Sequence, residues 1–245
     1  MSETIRVAAP AKLTLTLRCT GVRDDGLHLI DAEMVTLDLF DTLEIDPQGT
    51  SLTIEGGTDD VVADDDNLVA RALRLAERDA GVALTKRIPS QAGLGGGSAD
   101  AAAVLRWAGF DDVEAAAQIG ADVAFCLIGG RARVRGMGEI VEPLAYEPLT
   151  LTLVTPPIAC PTPAVYRAWD ALGGPTNNES PNDLEPAALV VAPELAQWRD
   201  ELAEATGQRP TLAGSGSSWF VVGSYPGPNR VLAKTTPAGW SPDLS

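Results

Sequence analysis

Pro89-Ser-Gln-Ala-Gly-Leu-Gly-Gly-Gly-Ser98 carries four glycines in the five residues Gly93–Gly97. Lacking Cβ atoms, these residues let backbone N–H groups come up against a ligand. The alanine-rich stretch Ser98–Trp107 that follows reads as a helix. Its amino end aims free N–H groups and the positive end of the helix dipole back at the loop. Loop and helix together make an anion site suited to a polyphosphate. Ser98 can cap the helix or reach a phosphate or a metal. No Gly-Lys-Ser/Thr follows the glycines, so this is not the common P-loop. The dinucleotide fingerprint fits poorly as well. Gly93-x-Gly95 is present, but Lys86–Gln91 is too polar for a buried parallel strand, and no acidic ribose ligand follows in a βαβ context. The plain alternative is a flexible surface turn. A strong helix start directly after the glycines favours phosphate instead.

Upstream of the loop, Val82–Ile88 reads as a strand and Asn67–Gly81 as a helix. In that helix Leu68, Ala72 and Leu75 share one face, opposite Arg71, Arg74 and Arg78. Earlier still, Ile5–Ala9 is apolar, Leu13, Leu15 and Leu17 alternate with polar residues, and Met34–Ile45 alternates again. With the turn at Gly21–Gly26 and the short strand Leu52–Ile54, these predict antiparallel hairpins. Downstream come a short helix, Val113–Ile119, and a hairpin of Arg131–Arg135 with Ile140–Val141. A seam lies near Tyr146–Pro148. Beyond it the pattern predicts a strand (Leu149–Val154), a helix (Ala164–Leu172) and a polar linker (Gly173–Pro181). Helices at Asp183–Val190 and Pro193–Thr206 follow, then strands near Thr211 and at Trp219–Val222 around Gly214-Ser-Gly-Ser-Ser218. The order of elements predicts an α+β protein in two lobes, 1–147 and 148–245.

Composition narrows the partners. The 34 acidic and 18 basic residues leave a formal charge of −16, which repels nucleic acid and anionic lipid. An anionic substrate therefore needs a local positive pocket built against the overall field. Cys19, Cys126 and Cys160 are odd in number and lack metal spacing, so they read as small buried hydrophobes. The stretch Met1–Arg6 lacks the basic and apolar regions of a signal peptide, and no apolar run is long enough to span a membrane. A cytoplasmic protein is the expectation.

Several single residues stand out, each with an ordinary explanation beside it. Asp122 is a lone carboxylate in Gly120-Ala-Asp-Val-Ala-Phe125, either functional or a helix N-cap. Lys12 is a lone cation entering a strand, where lysines commonly snorkel to water. His28 is the only histidine, and such residues are more often structural. Gly214–Ser218 would by itself be a hairpin turn.

In order along the chain, though, these segments resemble one family. Pro10-Ala-Lys12, Gly21-x-Arg23-x-Asp25-Gly26-x-His28, the stretch from Ile88 to Ala102, Gly120-Ala-Asp-Val123, Asn182-Asp-Leu-Glu185 and Gly214-Ser-Gly-Ser217 follow the pattern of the GHMP small-molecule kinases. The resemblance runs from about Val7 to Phe220. Within that superfamily, Asp-Gly-x-His and Pro161-Thr-Pro163 point to the branch that acts on a cytidine-diphospho sugar alcohol.

The resemblance implies a ribosomal protein S5 domain 2-like amino-terminal lobe and a ferredoxin-like carboxy-terminal lobe. It implies ATP as phosphoryl donor with Mg²⁺, though the sequence names no metal ligand. Lys12 and Asp122 match the catalytic pair. Pro89, Ala92, Gly93, Leu94, Gly95, Gly96, Gly97, Ser98 and Ala99 match the phosphate loop, and Asn67 a position near the adenosine. Thr14, Leu27, His28, Thr162, Tyr166, Gly214 and Ser215 match substrate positions, with His28 reading a cytosine edge and Tyr166 placed to stack on the base. The chain departs from the family in three places. Thr14 stands where the family has Asn, Leu27 where it has Tyr, and the span from Ser98 to Asp122 is shorter. These leave open a GHMP kinase for another small alcohol, or a silent nucleotide-binding relative. The sequence does not decide between a monomer and a homodimer.

Overall fold

The computed structural model describes residues 4–56, 63–174 and 180–244. Residues 1–3 and residues 175–179 of the expected linker lie outside that description. The architecture is α+β, as expected. Two long strands, β1 (Ile5–Val22) and β2 (His28–Asp46), form an antiparallel hairpin that organises the rest. One edge of β2 runs along β1. Its other edge is shared in sequence by three strands. These are β5 (Arg131–Gly136) against Ile30–Val35, β10 (Arg230–Thr236) against Thr36–Leu37, and β4 (Gly81–Lys86) against Thr42–Asp46. The strand β6 (Ile140–Pro143) completes the expected hairpin with β5. On its far side β10 pairs with β7 (Thr150–Val154), which pairs with β9 (Trp219–Val222) and then β8 (Thr211–Leu212).

Three expectations need correction. The strand β3 (Leu52–Gly56) forms no hairpin; it runs parallel to β4, because helix α1 (Leu68–Leu75) intervenes and carries the chain back. Helix α1 stops at Leu75, well short of Gly81. Glu77 takes a positive φ of 52°, with Glu77 N–H donating to Arg74 and Arg78 N–H to Leu73, a Schellman turn closed without glycine. Helix α2 (Gly96–Trp107) starts two residues earlier than Ser98, so Gly96 and Gly97 are its first turn rather than loop.

Helix α2 is the inner helix. Its residues Ala99–Leu105 are all buried, against α1, β1 and α4 (Val123–Ile128). Alanine suits that place, because small side chains let three neighbours approach at once. Leu105 and Phe125, both fully buried, contribute roughly 1.5–3 kcal/mol each by leaving water. Helix α3 (Val113–Ile119) matches its expected span and is capped by Asp112, whose side chain accepts from Ala115 N–H. Helix α5 (Thr162–Ala171) packs on α6 (Glu185–Val191), α6 on α7 (Leu195–Thr206), and α7 on β9. The three cysteines are buried and free, as expected. Among the described residues no helix is long and apolar enough to cross a membrane.

Candidate active site

Strand β4 delivers the chain to the glycine loop, and two glycines there are fixed by geometry. Gly93 has φ 75°, and a side chain on it would collide with the Ala213 carbonyl. Gly95 has φ 67°, and a Cβ would stand 2.6 Å from Lys12 Cγ. The loop is tied on both sides. Lys12 N–H donates to the Leu94 carbonyl at 3.0 Å, and Ser218 N–H donates to the Ala92 carbonyl at 3.2 Å. The first intrahelical bond of α2 runs from Ala99 N–H to the Gly95 carbonyl. Helical geometry therefore leaves the N–H groups of Gly96, Gly97 and Ser98 without an intrahelical partner, at the positive end of the helix.

Lys12 reaches this place from β1, beside a register shift between Pro10 and Lys12. It is 5% exposed, so it does not snorkel to water. Its Nζ lies 3.1 Å from Asp122 Oδ2 and donates to Thr14 Oγ1 at 3.3 Å. Asp122 precedes α4, the position where a capping role was the alternative. Its side chain makes no capping bond there and is 29% exposed toward the cleft. Lys12 thus connects the glycine loop with the carboxylate. A Cβ on Gly214 would stand 3.6 Å from Lys12 Nζ, which brings the β8–β9 loop to the same point.

That loop is held by a residue to which the sequence reading gave no role. Asn182 donates from Nδ2 to the Leu212 carbonyl at 2.8 Å and to the Gly214 carbonyl at 2.6 Å. Its neighbour Asp183 accepts from Cys19 N–H at 3.0 Å and from Arg18 at 2.8 Å, anchoring the segment on β1.

At the other end of the cleft, His28 Nε2–H donates to Asp170 Oδ1 at 2.8 Å. Its ring lies 4.5 Å from that of Tyr166, tilted by 32°, and meets Trp169 edge-on at 5.6 Å. Burial pushes the Tyr166 phenol above its ordinary range. Thr162 and Ser215 hydrogen-bond through their hydroxyls at 2.8 Å, linking α5 to the β8–β9 loop. Leu27 is 49% exposed at the rim.

One cleft of about 1070 Å³ joins both ends. Lys12, Thr14, Leu27, His28, Asn67, Pro89, Ala92, Gly93, Gly95, Gly96, Gly97, Ser98, Asp122, Thr162, Tyr166, Gly214 and Ser215 line it. Leu94 and Ala99 do not: both side chains are buried in the core. Asn67 caps α1, accepting from Val69 N–H at 2.9 Å, at the cleft wall.

A buried cluster beneath the loop also went unread. Lys86 Nζ donates to Asp100 Oδ2 at 2.7 Å and to Asp41 Oδ2. Of the polar stretch Lys86–Gln91 only Lys86 belongs to β4, and it is 7% exposed because two carboxylates satisfy it. The available signals were that lysine at the end of an apolar strand and an aspartate inside an alanine-rich helix. Among the described residues no group of three or more His, Cys, Asp or Glu is placed to hold a metal ion.

Comparison with known proteins gives a consistent result. A family model described as the GHMP kinases N terminal domain matches residues 67–130. The chain is 41% identical over 234 residues to the 4-diphosphocytidyl-2-C-methyl-D-erythritol kinase of Paracoccus denitrificans, covering 88% of this chain and 85% of that one. It is 37% identical to the same-named kinase of Cereibacter sphaeroides, covering 95% of each. A crystal structure of a 4-(cytidine 5'-diphospho)-2C-methyl-D-erythritol kinase superposes with a TM-score of 0.76 at 32% identity, over 94% of this chain and 99% of the other. The homoserine kinase of Cytophaga hutchinsonii shares the fold, with a TM-score of 0.60 at 18% identity over 97% of this chain and 96% of its own.

Proposed function

Since the chain belongs to the 4-diphosphocytidyl-2-C-methyl-D-erythritol kinases, within the GHMP kinases, we propose that it transfers the terminal phosphoryl group of ATP to the 2-hydroxyl of 4-diphosphocytidyl-2-C-methyl-D-erythritol. That transfer is a step of non-mevalonate isoprenoid biosynthesis. The observation that carries this reading is the Lys12–Asp122 pair at 3.1 Å, set beside the unpartnered N–H groups that open α2.

Phosphoryl transfer through a loose transition state asks the protein for position and charge stabilisation rather than covalent help. Gly96, Gly97 and Ser98 supply donors for the phosphate oxygens without flexible side chains. Lys12 adds positive charge in a chain whose formal charge is −16. Asp122 accepts or orients the proton of the substrate hydroxyl, and Lys12 holds its carboxylate in place. The partly exposed Asp122 carboxylate and the Ser98 hydroxyl are the hard oxygen donors that fit Mg²⁺ arriving with the triphosphate, and the ion would neutralise phosphate charge there. His28, Tyr166 and Thr162 form the base end, with His28 fixed by Asp170. In this reading 1–147 is the nucleotide-binding domain, 148–245 brings Thr162, Tyr166 and the Gly214–Ser215 turn to the cleft, and the enzyme works in the cytoplasm.

The test is a coupled assay of ADP release over a panel of alcohols. Turnover that requires the cytidylated alcohol, and is missing with homoserine or mevalonate, supports the proposal. Turnover on a different small alcohol would move the substrate within the GHMP kinases. ATP binding without transfer to any alcohol would make the chain a silent relative.

A further inference from the structure

Three lysine or arginine side chains border the cleft among the described residues: Lys12, Lys86 and Arg167. Two of them are engaged. Lys12 Nζ lies 3.1 Å from Asp122, and Lys86 donates to Asp41 and Asp100. Arg167 is exposed and has no hydrogen bond or ion pair among the described residues. The carboxylates of Asp64, Asp66, Asp100, Asp122 and Asp170 border the same cleft, in a chain of formal charge −16. An arginine left without a carboxylate in such surroundings makes a local exception to the overall field, and so a place where an anion is favoured.

The fold says which part of the cleft this is. Arg167 follows Tyr166 in α5, and Pro163, Tyr166, Arg167 and Asp170 share one face of that helix by their spacing of three and four. All four border the cleft. At the amino end of α5, Thr162 hydrogen-bonds Ser215 at 2.8 Å, in the loop whose Gly214 stands beside Lys12. Toward its carboxy end, Asp170 accepts from His28 at 2.8 Å. The helix therefore runs from the His28 end of the cleft to the Lys12 end, a rise of about 12 Å between Asp170 and Thr162. Arg167 stands between those two anchors.

We propose that Arg167 binds the diphosphate that joins the cytidine of the acceptor to its alcohol, so that the site selects a cytidylated acceptor by charge as well as by base. This rests on the reading of the acceptor given above. A base held against His28 and Tyr166, with its alcohol at Asp122, carries its diphosphate past the face of α5 that lies between them. A diphosphate diester bears two negative charges at neutral pH, and Asp122 and Asp170 stand at either end of its path. The guanidinium offsets that repulsion and offers parallel N–H donors that match two phosphate oxygens. Neither an uncharged alcohol nor a free nucleoside can use it.

The experiment uses the full chain at saturating ATP and Mg²⁺, as wild type and as Arg167→Gln. It measures the KM for the cytidylated alcohol, and the inhibition constants of cytidine and of cytidine diphosphate competing against that alcohol. The KM and the cytidine diphosphate constant should each rise roughly tenfold in the variant, the worth of a charge-assisted hydrogen bond. The cytidine constant and the KM for ATP should not move. A disturbed helix would weaken cytidine as well, since Tyr166 and Asp170 lie on the same face of α5. Equal cytidine diphosphate constants in the two proteins, or an equal loss with cytidine, overturn the proposal and leave the kinase reading intact. A rise in the KM for ATP in place of the acceptor KM would put Arg167 on the donor and overturns it too. Failure of the wild type to phosphorylate the cytidylated alcohol overturns both this proposal and the reading it rests on.

Discussion

The two ends of the cleft are built on different principles. At the proposed phosphate end, Lys12 is 5% exposed and the loop is fixed through backbone atoms to β1 and to the β8–β9 loop. Position there is set by main chain and by glycines that admit no side chain. At the proposed base end the cleft is lined by side chains nearer the rim: Leu27 at 49% exposure, Thr162 and Asp170 exposed, and His28, bonded to Asp170 and packed on Tyr166 and Trp169. A change at the first end disturbs a packed assembly. A change at the second can be absorbed by solvent. Phosphoryl chemistry should therefore be brittle in this chain and base recognition adjustable, and substitutions at each end test that contrast.

The largest effect belongs to Asp122→Asn. The amide keeps the shape and the place beside Lys12 but cannot accept the hydroxyl proton. Turnover should fall by about 10²–10⁴-fold, while the thermal midpoint and the binding of ATP without Mg²⁺ stay near wild type. Single-turnover kinetics with the cytidylated alcohol checks this, and near-normal turnover would remove Asp122 from the chemistry. Next is Gly95→Val. It forces a β-branched residue into φ 67° and against Lys12 Cγ. The expected result is a rise of at least about tenfold in the KM for ATP. An unchanged KM would mean that the triphosphate does not lie on this loop.

What the sequence disclosed follows the same division between local and assembled features. The glycine loop and α2 were readable because neighbouring residues specify both: four glycines, then a run of alanines. Lys12 and Asp122 were not readable singly. They are 110 positions apart, and each has an ordinary explanation until the fold brings them to 3.1 Å. Their pairing came from resemblance to a family. Helix α4 was missed because all but one of its six residues are buried, so no apolar face alternates with a polar one. Strand β10 was missed because its order comes from non-local pairing with β7 and β2. Helix α1 was read too long because arginines keep helical spacing through Arg78, while the turn that ends it is made by Glu77. Lys86 and Asp100 each left a local signal, but their meeting with Asp41 did not, since the three sit on three elements.

At the base end the effects should be smaller and confined to one substrate. Asp170→Asn replaces the carboxylate that fixes His28 Nε2 with an amide. The KM for the cytidylated alcohol should rise roughly three- to tenfold, about the worth of one hydrogen bond. The KM for ATP should not move. A parallel rise in both would mean that the two ends are mechanically coupled, and the contrast drawn above would fail.

Leu27→Tyr is the mildest change and runs in the favourable direction. Leu27 lies at the rim beside His28, and its side chain is half in water, so a larger ring can enter without displacing core atoms. Tyr166 and the His28 ring, 4.5 Å apart, line the same cleft. A base bound against them would present its other face toward position 27. Stacking there adds about 0.5–1.5 kcal/mol, so the KM for the cytidylated alcohol should fall roughly two- to tenfold with kcat unchanged. Comparing that substrate with an uncytidylated alcohol separates stacking from a general gain in affinity. If the KM is unmoved, the base does not pass over residue 27, and leucine there is no loss because this chain reads its substrate from the α5 side alone.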